Sequence, residues 1–287
     1  MYFYAYSVNR PPGRERADKE RYGMAELPDV EIFRQYIDLN ALHQSIKNAE
    51  VRSGIILKGI TPETFVKALG NNSLEQSRRH GKHLFIRLRR NGWLAIHFGM
   101  TGYLKYFRDL SEEPPYTRVL IAFSRGSYLA FVSQRTLGRI ELIPDVDDYI
   151  RQHDLGPDAM SRSFDFSSFK KALSQAKRST VKAALMDQSL IAGIGNVYSD
   201  EIMYQSNIHP SRKMSQLDEA MMKRLFTKTK HVLRKAIEYR ADPRKFPESW
   251  ITPYRRSRRK FAGCVGPIES IKVSGRTSYF CPQSQKI

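Results

Sequence analysis

The spacing of apolar residues changes near residue 150, and this change constrains the fold more than any other feature of the chain. Between residues 51 and 143 the apolar residues form short runs rich in β-branched and aromatic side chains, at 84–90, 93–98, 118–123, 128–132 and 138–143. Asn91-Gly92 and Arg125-Gly126 separate neighbouring runs, and Asn-Gly in particular is typical of a hairpin turn. Closely spaced short strands of this kind predict an antiparallel sandwich or barrel.

Helical spacing replaces the strand pattern after about residue 155. Segments 166–175, 180–188, 196–206 and 215–239 have the spacing and the starting residues of helices. Two more helices are predicted in the first half, one beginning near Pro28 and one around 62–69. The tail predicts a hairpin, with strands at 268–273 and 277–280 and a Ser-Gly turn between them. The chain is therefore expected to belong to the α+β class.

The charge of the chain indicates the class of partner. There are 48 Lys and Arg against 29 Asp and Glu, a net charge of +19, and the 41% of hydrophobic residues is enough for a packed core. A folded protein this basic usually binds DNA, RNA or an acidic membrane, although a generally adhesive basic protein has the same composition. No apolar run reaches the roughly 18 residues of a membrane span and no signal peptide is evident, which predicts an intracellular protein of the cytoplasm or nucleoid.

Residues 1–23 differ from the rest of the chain. They are polar, lack periodicity and contain Pro-Pro-Gly, so they predict a disordered extension. Met24 follows directly, and the alternative is that translation starts there.

The segment 185–210 carries the strongest chemical signal. It predicts a helix, a glycine-bounded turn, a second helix beginning at Asn196 and a stop at Pro210. Gly193 and Gly195 leave N–H groups unshielded at the start of the second helix, which is a seat for an anion such as a DNA phosphate. Taken alone, the same glycines are as typical of a tight turn between helices.

The whole segment resembles the helix-two-turn-helix signature of the formamidopyrimidine-DNA glycosylase/endonuclease VIII family. Further matches follow in the order of that family: Ala-Glu-Leu-Pro-Asp-Val-Glu at 25–31, Arg-Arg-His-Gly-Lys-His-Leu at 78–84, His-Phe-Gly-Met-Thr-Gly at 97–102 and Gln-Arg-Thr-Leu-Gly-Arg at 134–139. The resemblance runs from about Met24 to the end. It implies a β-sandwich catalytic domain at 24–155, a helix-two-turn-helix domain at 156–256 and a β-hairpin finger at 257–287.

The resemblance also implies an amine mechanism and a set of site residues. Members of the family attack C1′ with the N-terminal amine, form a Schiff base and cut the strand by β,δ-elimination. Catalytic positions then fall on Ala25, Glu26 and Lys82. DNA-binding positions fall on His97, Met100, Arg135, Leu137, Gly195, Asn196 and Arg276. Without the resemblance, Met100 would be read as core, Lys82 as a solvated strand-end lysine and His97 as an ordinary strand histidine.

Three departures from the family pattern bear on the chemistry. Ala25 stands where nearly all members have proline, and 23 residues precede Met24, so its nitrogen is an amide unless the chain starts there. Leu137 stands where a phenylalanine usually wedges between bases.

The third departure concerns the finger. Only Cys264 and Cys281 remain of its four zinc ligands, which implies no metal cofactor and a zincless finger held by apolar packing. Two cysteines in such a chain do not by themselves argue for a disulfide. The packing is expected from Phe261, Ile268, Ile271 and Phe280.

Three functions remain open at this stage. The leading one is a base-excision glycosylase and abasic-site lyase, acting as a monomer on oxidised bases in duplex DNA through the amine of Ala25. The second is a damage- or abasic-site-binding homologue that has lost the chemistry. The third is an enzyme that cleaves abasic sites through another amine, such as Lys82. The motifs do not distinguish oxidised purines from oxidised pyrimidines.

Overall fold

The structure is a computed structural model of the 287-residue chain that describes residues 24–255, 261–264 and 266–287. The predicted disorder of 1–23 lies outside these residues. The chain divides into two compact units. Among the described residues, one contains Met24, Ala25 and Asp29–His153, and the other contains Glu26–Pro28 and the described residues from Asp154 to Ile287.

The first unit is built mainly from short strands, as the apolar pattern predicts. Its elements, with the helix that leads into it, are α1 (Leu27–Asn40), β1 (Ile46–Val51), β2 (Leu57–Lys58), α2 (Pro62–Leu69), β3 (Leu74–His80), β4 (His83–Leu88), β5 (Trp93–His97), β6 (Tyr103–Phe107), β7 (Thr117–Phe123), β8 (Tyr128–Val132), β9 (Arg139–Ile143) and α3 (Val146–Gln152).

These strands form two sheets, in the orders β1-β7-β8-β6 and β2-β9-β5-β4-β3. All neighbours pair antiparallel except the short β2, which runs parallel to β9. Apolar side chains of both sheets meet in one buried cluster, with Val119 and Phe131 from the first sheet and Ile86, Ile96 and Ile140 from the second. The predicted sandwich is therefore confirmed, since each sheet buries one face against the other.

The turn between β4 and β5 shows why the sequence specifies this topology. Asn91 and Gly92 both have positive φ, 72° and 84°, which is the geometry of a tight hairpin turn. A Cβ at Gly92 would lie 2.2 Å from the carbonyl oxygen of Ile143, so this position has no room for a side chain. The hairpin predicted from Asn-Gly is present.

The second unit is mainly helical. Its elements are α4 (Phe166–Ser174), α5 (Val181–Met186), α6 (Asn196–Gln205), α7 (Glu219–Glu238), β10 (Glu269–Val273) and β11 (Arg276–Phe280). Side-chain caps fix several helix starts: Asp165, Thr180 and Asp218 accept the backbone N–H groups of Ser168, Ala183 and Met221 respectively. No helix among the described residues is both long and apolar enough to cross a membrane.

The finger hairpin is present where the sequence predicts it, but the disulfide at its base was not predicted. Ser274 and Gly275 have φ of 48° and 72° and join β10 to β11 in a two-residue turn. Cys264 and Cys281 form a disulfide with a Cα–Cα distance of 5.8 Å. This bond corrects the expectation of a finger held by apolar packing alone, and local sequence does not predict it because strand pairing brings the segments flanking the hairpin together.

The apolar packing of the finger is partly as expected. Phe261 is buried with both cysteines and Ile251, and Ile268 packs against this group from the side. Phe280 is buried and its ring lies edge-on to His209, 4.6 Å between centroids. Ile271 is only partly buried and is not in the cluster, although its pairing with Ser278 places it on the same face of the hairpin as Phe280.

Candidate active site and nucleic-acid interface

The backbone nitrogen of Ala25 is held in the first unit. It donates to the carbonyl oxygen of Gly99 at 3.1 Å, and the Ala25 side chain is buried in the sandwich core. Gly99 belongs to the tight loop between β5 and β6, in which Gly102 N–H donates to the oxygen of Phe98 at 2.9 Å. The candidate nucleophile position therefore rests on a loop that the strand framework fixes.

Two loops bring together Met100, Arg135 and Leu137, which the motifs place apart in the chain. A Cβ on Gly99 would lie 2.4 Å from the oxygen of Leu137, so only glycine allows this close approach. The hydroxyl of Thr101 accepts the N–H of Arg135 at 3.2 Å. Leu137 is 47% exposed and Arg135 is exposed, so both side chains are available at this edge of the first unit.

Lys82 and His97 lie close to one another in the same unit. Lys82 occupies the two-residue turn between β3 and β4, after Gly81 with φ of 54°. Burial, together with the charges of Lys82 and Arg139, lowers the pKa of His97 to about 4. Its Nδ1 accepts the N–H of Gly99 at 3.2 Å, so the neutral ring carries its proton on Nε2. His97 is therefore a neutral hydrogen-bond donor at pH 7.

Glu26 belongs to the second unit and binds the start of α6. Its carboxylate accepts the N–H of Gly195 at 2.8 Å, of Val197 at 2.7 Å and of Tyr198 at 3.2 Å. These are N–H groups that a helix leaves without a partner in its first turn, and the positive end of the helix favours a negative group there. Gly195 has no side chain to cap the helix, so Glu26 takes that role while only 2% exposed.

This arrangement corrects one expectation about the glycine-bounded turn. The N–H groups of Gly195, Val197 and Tyr198 do bind an anion, but the anion is the protein's own carboxylate rather than a phosphate. Gly195 is glycine because a Cβ there would lie 2.4 Å from Cδ of Glu26. Gly193 has φ of 120°, and a Cβ there would lie 2.4 Å from a side-chain carbon of Leu27.

Asn196 is positioned by the finger and by a buried ion-pair network. Its Nδ2 donates to the oxygen of Thr277 in β11 at 3.2 Å, and its carbonyl oxygen accepts from Lys182 and Arg255, each at 3.4 Å. Lys182 and Arg255 both pair with Asp200, at 2.6 and 3.0 Å. Burial lowers the pKa of Lys182, and the adjacent Asp200 carboxylate opposes that effect.

Asp200 also ties α6 to the finger. It is fully buried and accepts the hydroxyl of Ser278 and the N–H of Tyr279 at 3.1 Å, both in β11. The sequence interpretation missed this network, although Lys182 is a lysine inside the otherwise apolar helix 181–186, which is a detectable signal. Arg276 is exposed at the first position of β11, directly after the hairpin turn.

Comparison with known proteins agrees with this geometry. Residues 24–140 match the formamidopyrimidine-DNA glycosylase N-terminal domain, and residues 155–247 match the helix-two-turn-helix domain of the same enzymes. The chain is 32% identical to a formamidopyrimidine-DNA glycosylase of Arabidopsis thaliana, over 92% of this chain and 71% of the relative. The chain belongs to the formamidopyrimidine-DNA glycosylase family.

Other members of the family extend the likeness over their full length. The enzyme of Streptococcus mutans is 30% identical over 92% of this chain and 100% of its own. Among solved structures, Lactococcus lactis Fpg in complex with abasic-site DNA superposes with a TM-score of 0.83 at 26% identity, over 92% of this chain and 100% of that one. The same protein bound to Fapy-dG DNA gives a TM-score of 0.81 at 26% identity, over 91% of this chain and 100% of that one.

The finger of this family member does not fit a zinc ion. A structural zinc site needs four ligands, and the two cysteines present are joined to each other. Across the described residues, no three His, Cys, Asp or Glu side chains form a group that could hold a metal. The disulfide closes the base of the hairpin that carries Arg276.

Proposed function

We propose that the protein is a base-excision DNA glycosylase with abasic-site lyase activity, which removes oxidised bases from damaged duplex DNA. The observation that carries this proposal is the placement of two consecutive residues. The Ala25 nitrogen is held on the Gly99 carbonyl, and the Glu26 carboxylate is held on three N–H groups of the helix-two-turn-helix turn. Family membership and the +19 net charge support duplex DNA as the substrate.

The proposed chemistry needs a primary amine at Ala25. In a chain that starts at Met24, removal of Met24 before the small Ala25 leaves a free α-amine, which ionises near pH ~8 and is partly neutral at pH 7. The neutral amine attacks C1′, the glycosidic bond breaks, the base leaves with a proton, and an imine to the opened sugar remains. Glu26 is the group that moves protons on the sugar ring. Elimination of the flanking phosphates from this imine then cuts the strand.

The proposed contacts to DNA involve three exposed side chains, Arg135, Leu137 and Arg276, and four that are partly exposed, Lys82, His97, Met100 and Asn196. Met100, Arg135 and Leu137 fill the gap that a displaced nucleotide leaves, Lys82 contacts phosphate or base at the lesion, and the neutral ring of His97 lies beside it. In the second unit, Asn196 and Arg276 bind phosphate. We also propose that the protein acts inside the cell as a monomer without a cofactor, and that the Cys264–Cys281 disulfide closes its finger in place of a metal.

A second candidate function applies to any form of the protein in which residues precede Ala25. With 23 residues before Met24, the nitrogen of Ala25 is an amide and cannot form an imine. Such a form keeps the phosphate-binding residues and would act as a binding protein for damaged or abasic DNA. An amine on Lys82 is the third candidate, restricted to abasic-site cleavage.

The test compares the 287-residue chain with a form expressed from Met24, each with its N-terminus confirmed by mass spectrometry. Both are assayed for cleavage of duplexes that contain one oxidised base or one abasic site, and for binding to the abasic duplex. The proposal expects cleavage of both duplexes by the shorter form only, with similar binding by both. If neither form cleaves while both bind, the binding function replaces it. If both forms cleave the abasic duplex alone, the amine is elsewhere, with Lys82 first.

A further inference from the structure

A cavity of about 380 Å³ lies in the first unit beside the candidate nucleophile. Met24, which precedes Ala25, and Gly99, which accepts the Ala25 N–H, both line it. The family motifs account for only part of its wall. Glu141, Tyr149 and His153 lie outside those motifs and complete the wall together with the motif residues His83, His97 and Arg139.

Flat rings make up most of this wall. The ring of His153 stacks on Tyr149 at 3.9 Å between centroids and 25° between planes. The ring of His83 lies 5.0 Å from His97 and meets Tyr149 edge-on at 5.6 Å. Such a wall favours a planar ligand, because a flat ring loses water from both faces and stacks on the side chains.

The polar atoms of the wall include both donors and acceptors. His97 presents its Nε2–H, because its Nδ1 already accepts from Gly99, and Glu141 accepts the hydroxyl of Tyr149 at 3.4 Å. The Nδ1 of His83 is buried and has no hydrogen-bond partner within the part of the chain that the structure describes. A buried polar atom without a partner costs free energy, which a ligand that pairs with it would recover.

The charges of the wall cancel. Burial lowers the pKa of His97 to about 4 and holds the pKa of His83 well below its usual value, so both rings are neutral at pH 7. Arg139 and Glu141 then contribute one charge of each sign, while Lys82 acts from outside the wall. A phosphate dianion would meet the Glu141 carboxylate as well as Arg139, and otherwise neutral imidazoles, whereas an uncharged heterocycle with donors and acceptors on its edge meets complementary groups.

We propose that this cavity binds a free nucleobase, the uncharged planar heterocycle that a glycosylase releases. The identity of the ligand as a reaction product rests on the proposed function, but the binding itself does not. A base held there lies beside Met24, or beside the Ala25 nitrogen once Met24 has been removed, and so competes with the next substrate. The site predicts product inhibition by free bases.

The test uses the full chain and follows the ring signals of its seven histidines by NMR. Adenine, cytosine and uracil are titrated separately, with inorganic phosphate and deoxyribose 5-phosphate as the anionic probes. We expect at least one base to shift the His83 and His97 signals saturably while His231, on the surface of α7, stays unchanged. Phosphate is expected to leave the His83 and His97 signals in place.

Two variants make the assignment specific. His153→Ala removes the exposed ring stacked on Tyr149 and should weaken base binding about fivefold or more, the loss expected from one stacking contact. His231→Ala removes an equally exposed histidine in the second unit and should change nothing. Tighter binding of phosphate than of any base, no saturable shift with any base, or unchanged affinity in His153→Ala would each overturn the proposal.

The base-binding test and the test of the proposed function can fail independently of each other. If the protein shows no cleavage and its histidines still respond to a base, the glycosylase assignment fails and the cavity remains a base site. If the form from Met24 cleaves DNA and no base shifts the rings, the cavity assignment alone fails.

Discussion

Gly195 and Glu26 depend on each other at the level of single residues. The carboxylate occupies the space in which any side chain at position 195 would lie, and it supplies the cap that a glycine lacks. A glycine is therefore required here by a neighbouring side chain and not by its own backbone, since the φ of Gly195 is −128° and open to any residue.

Gly195→Ala should therefore lower activity by displacing Glu26 rather than by straining the backbone at position 195. The new Cβ displaces the Glu26 carboxylate from Gly195, Val197 and Tyr198, so cleavage by the form from Met24 should fall by about tenfold or more, each charge-assisted hydrogen bond contributing about 1.5–3 kcal/mol. Steady-state cleavage of an abasic duplex measures the loss. Gly70→Ala is the matched control, because a Cβ there meets nothing closer than 3.6 Å. Equal effects of the two changes would count against the role of Glu26.

At the scale of elements, Asp200 joins helix α6 to the finger. It is the carboxylate partner of Lys182 and Arg255, and it also binds the backbone and a hydroxyl of β11. Removing its charge leaves two buried cations that face each other, which is far costlier than the loss of a surface pair.

Asp200→Asn is expected to destabilise the second unit by about 3–5 kcal/mol and to weaken binding to abasic DNA, because Asn196 and β11 lose their common support. Urea unfolding followed by hydrogen exchange of the β11 amides measures the first effect. Glu219→Gln, which breaks the exposed pair with Lys170, should cost no more than about 1 kcal/mol. A loss in Asp200→Asn as small as in this control would show that the network does not support the finger.

The finger should also respond to reduction. The disulfide closes a 17-residue separation, and a cross-link of that size stabilises by about 3 kcal/mol in the chain-entropy account. A dithiol reductant, or Cys281→Ser, should therefore increase hydrogen exchange in β10 and β11 and weaken DNA binding, while the sandwich stays unchanged. Cys281 is fully buried, so strong reductant or partial unfolding is needed for the first treatment. Stoichiometric zinc in the isolated protein would contradict this description of the finger.

Local signals in the sequence located most elements but missed four strands of the first unit, Ile46–Val51, Leu57–Lys58, Leu74–His80 and Tyr103–Phe107. The Asn91-Gly92 and Ser274-Gly275 turns and the helix Pro62–Leu69 appear where the chain predicts them, because each depends on neighbouring residues. The strand Ile46–Val51 was missed, since it pairs with Thr117–Phe123, some 70 residues along the chain. Helix Val146–Gln152 was also missed, because it is short and largely polar.

The residues of the candidate site likewise fall into those that local motifs identify and those that only tertiary packing brings together. Motifs found Ala25, Glu26 and Asn196, and the three roles still rest on the family resemblance. The cavity residues His83, Tyr149 and His153 were not found, because they come together only when β4 and α3 pack on one another. Nor could the sequence show that Glu26 caps α6, a contact across 169 residues of chain.

For the molecule as a whole, stability should depend on pH through Glu201. Burial raises the pKa of this carboxyl to about 7, with Gln205 and Thr252 as its hydrogen-bond partners. The folded protein then binds one proton more than the unfolded chain between pH ~4.5 and pH ~7, so this group's contribution to stability falls as the pH rises through that window.

Glu201→Gln removes this titration and keeps the shape of the side chain. The difference in unfolding free energy between the variant and the original should grow in favour of the variant by roughly 3 kcal/mol from pH 4.5 to pH 7.5. Urea midpoints at both pH values measure it, and subtraction cancels the opposite contribution of His97, whose lowered pKa favours folding as the pH rises from about 4 to about 6.5. A difference that does not change with pH would show that Glu201 is ionised throughout.

The central claim is that the nitrogen of Ala25 performs the chemistry, and covalent trapping tests it most directly. The form expressed from Met24 is mixed with an abasic duplex and borohydride, and the cross-linked peptide is identified by mass spectrometry. The account predicts a single adduct on the α-amine of Ala25, and none in the 287-residue chain if that chain keeps residues 1–24. An adduct on Lys82, or tight binding of the abasic duplex by the shorter form with no adduct, would contradict it.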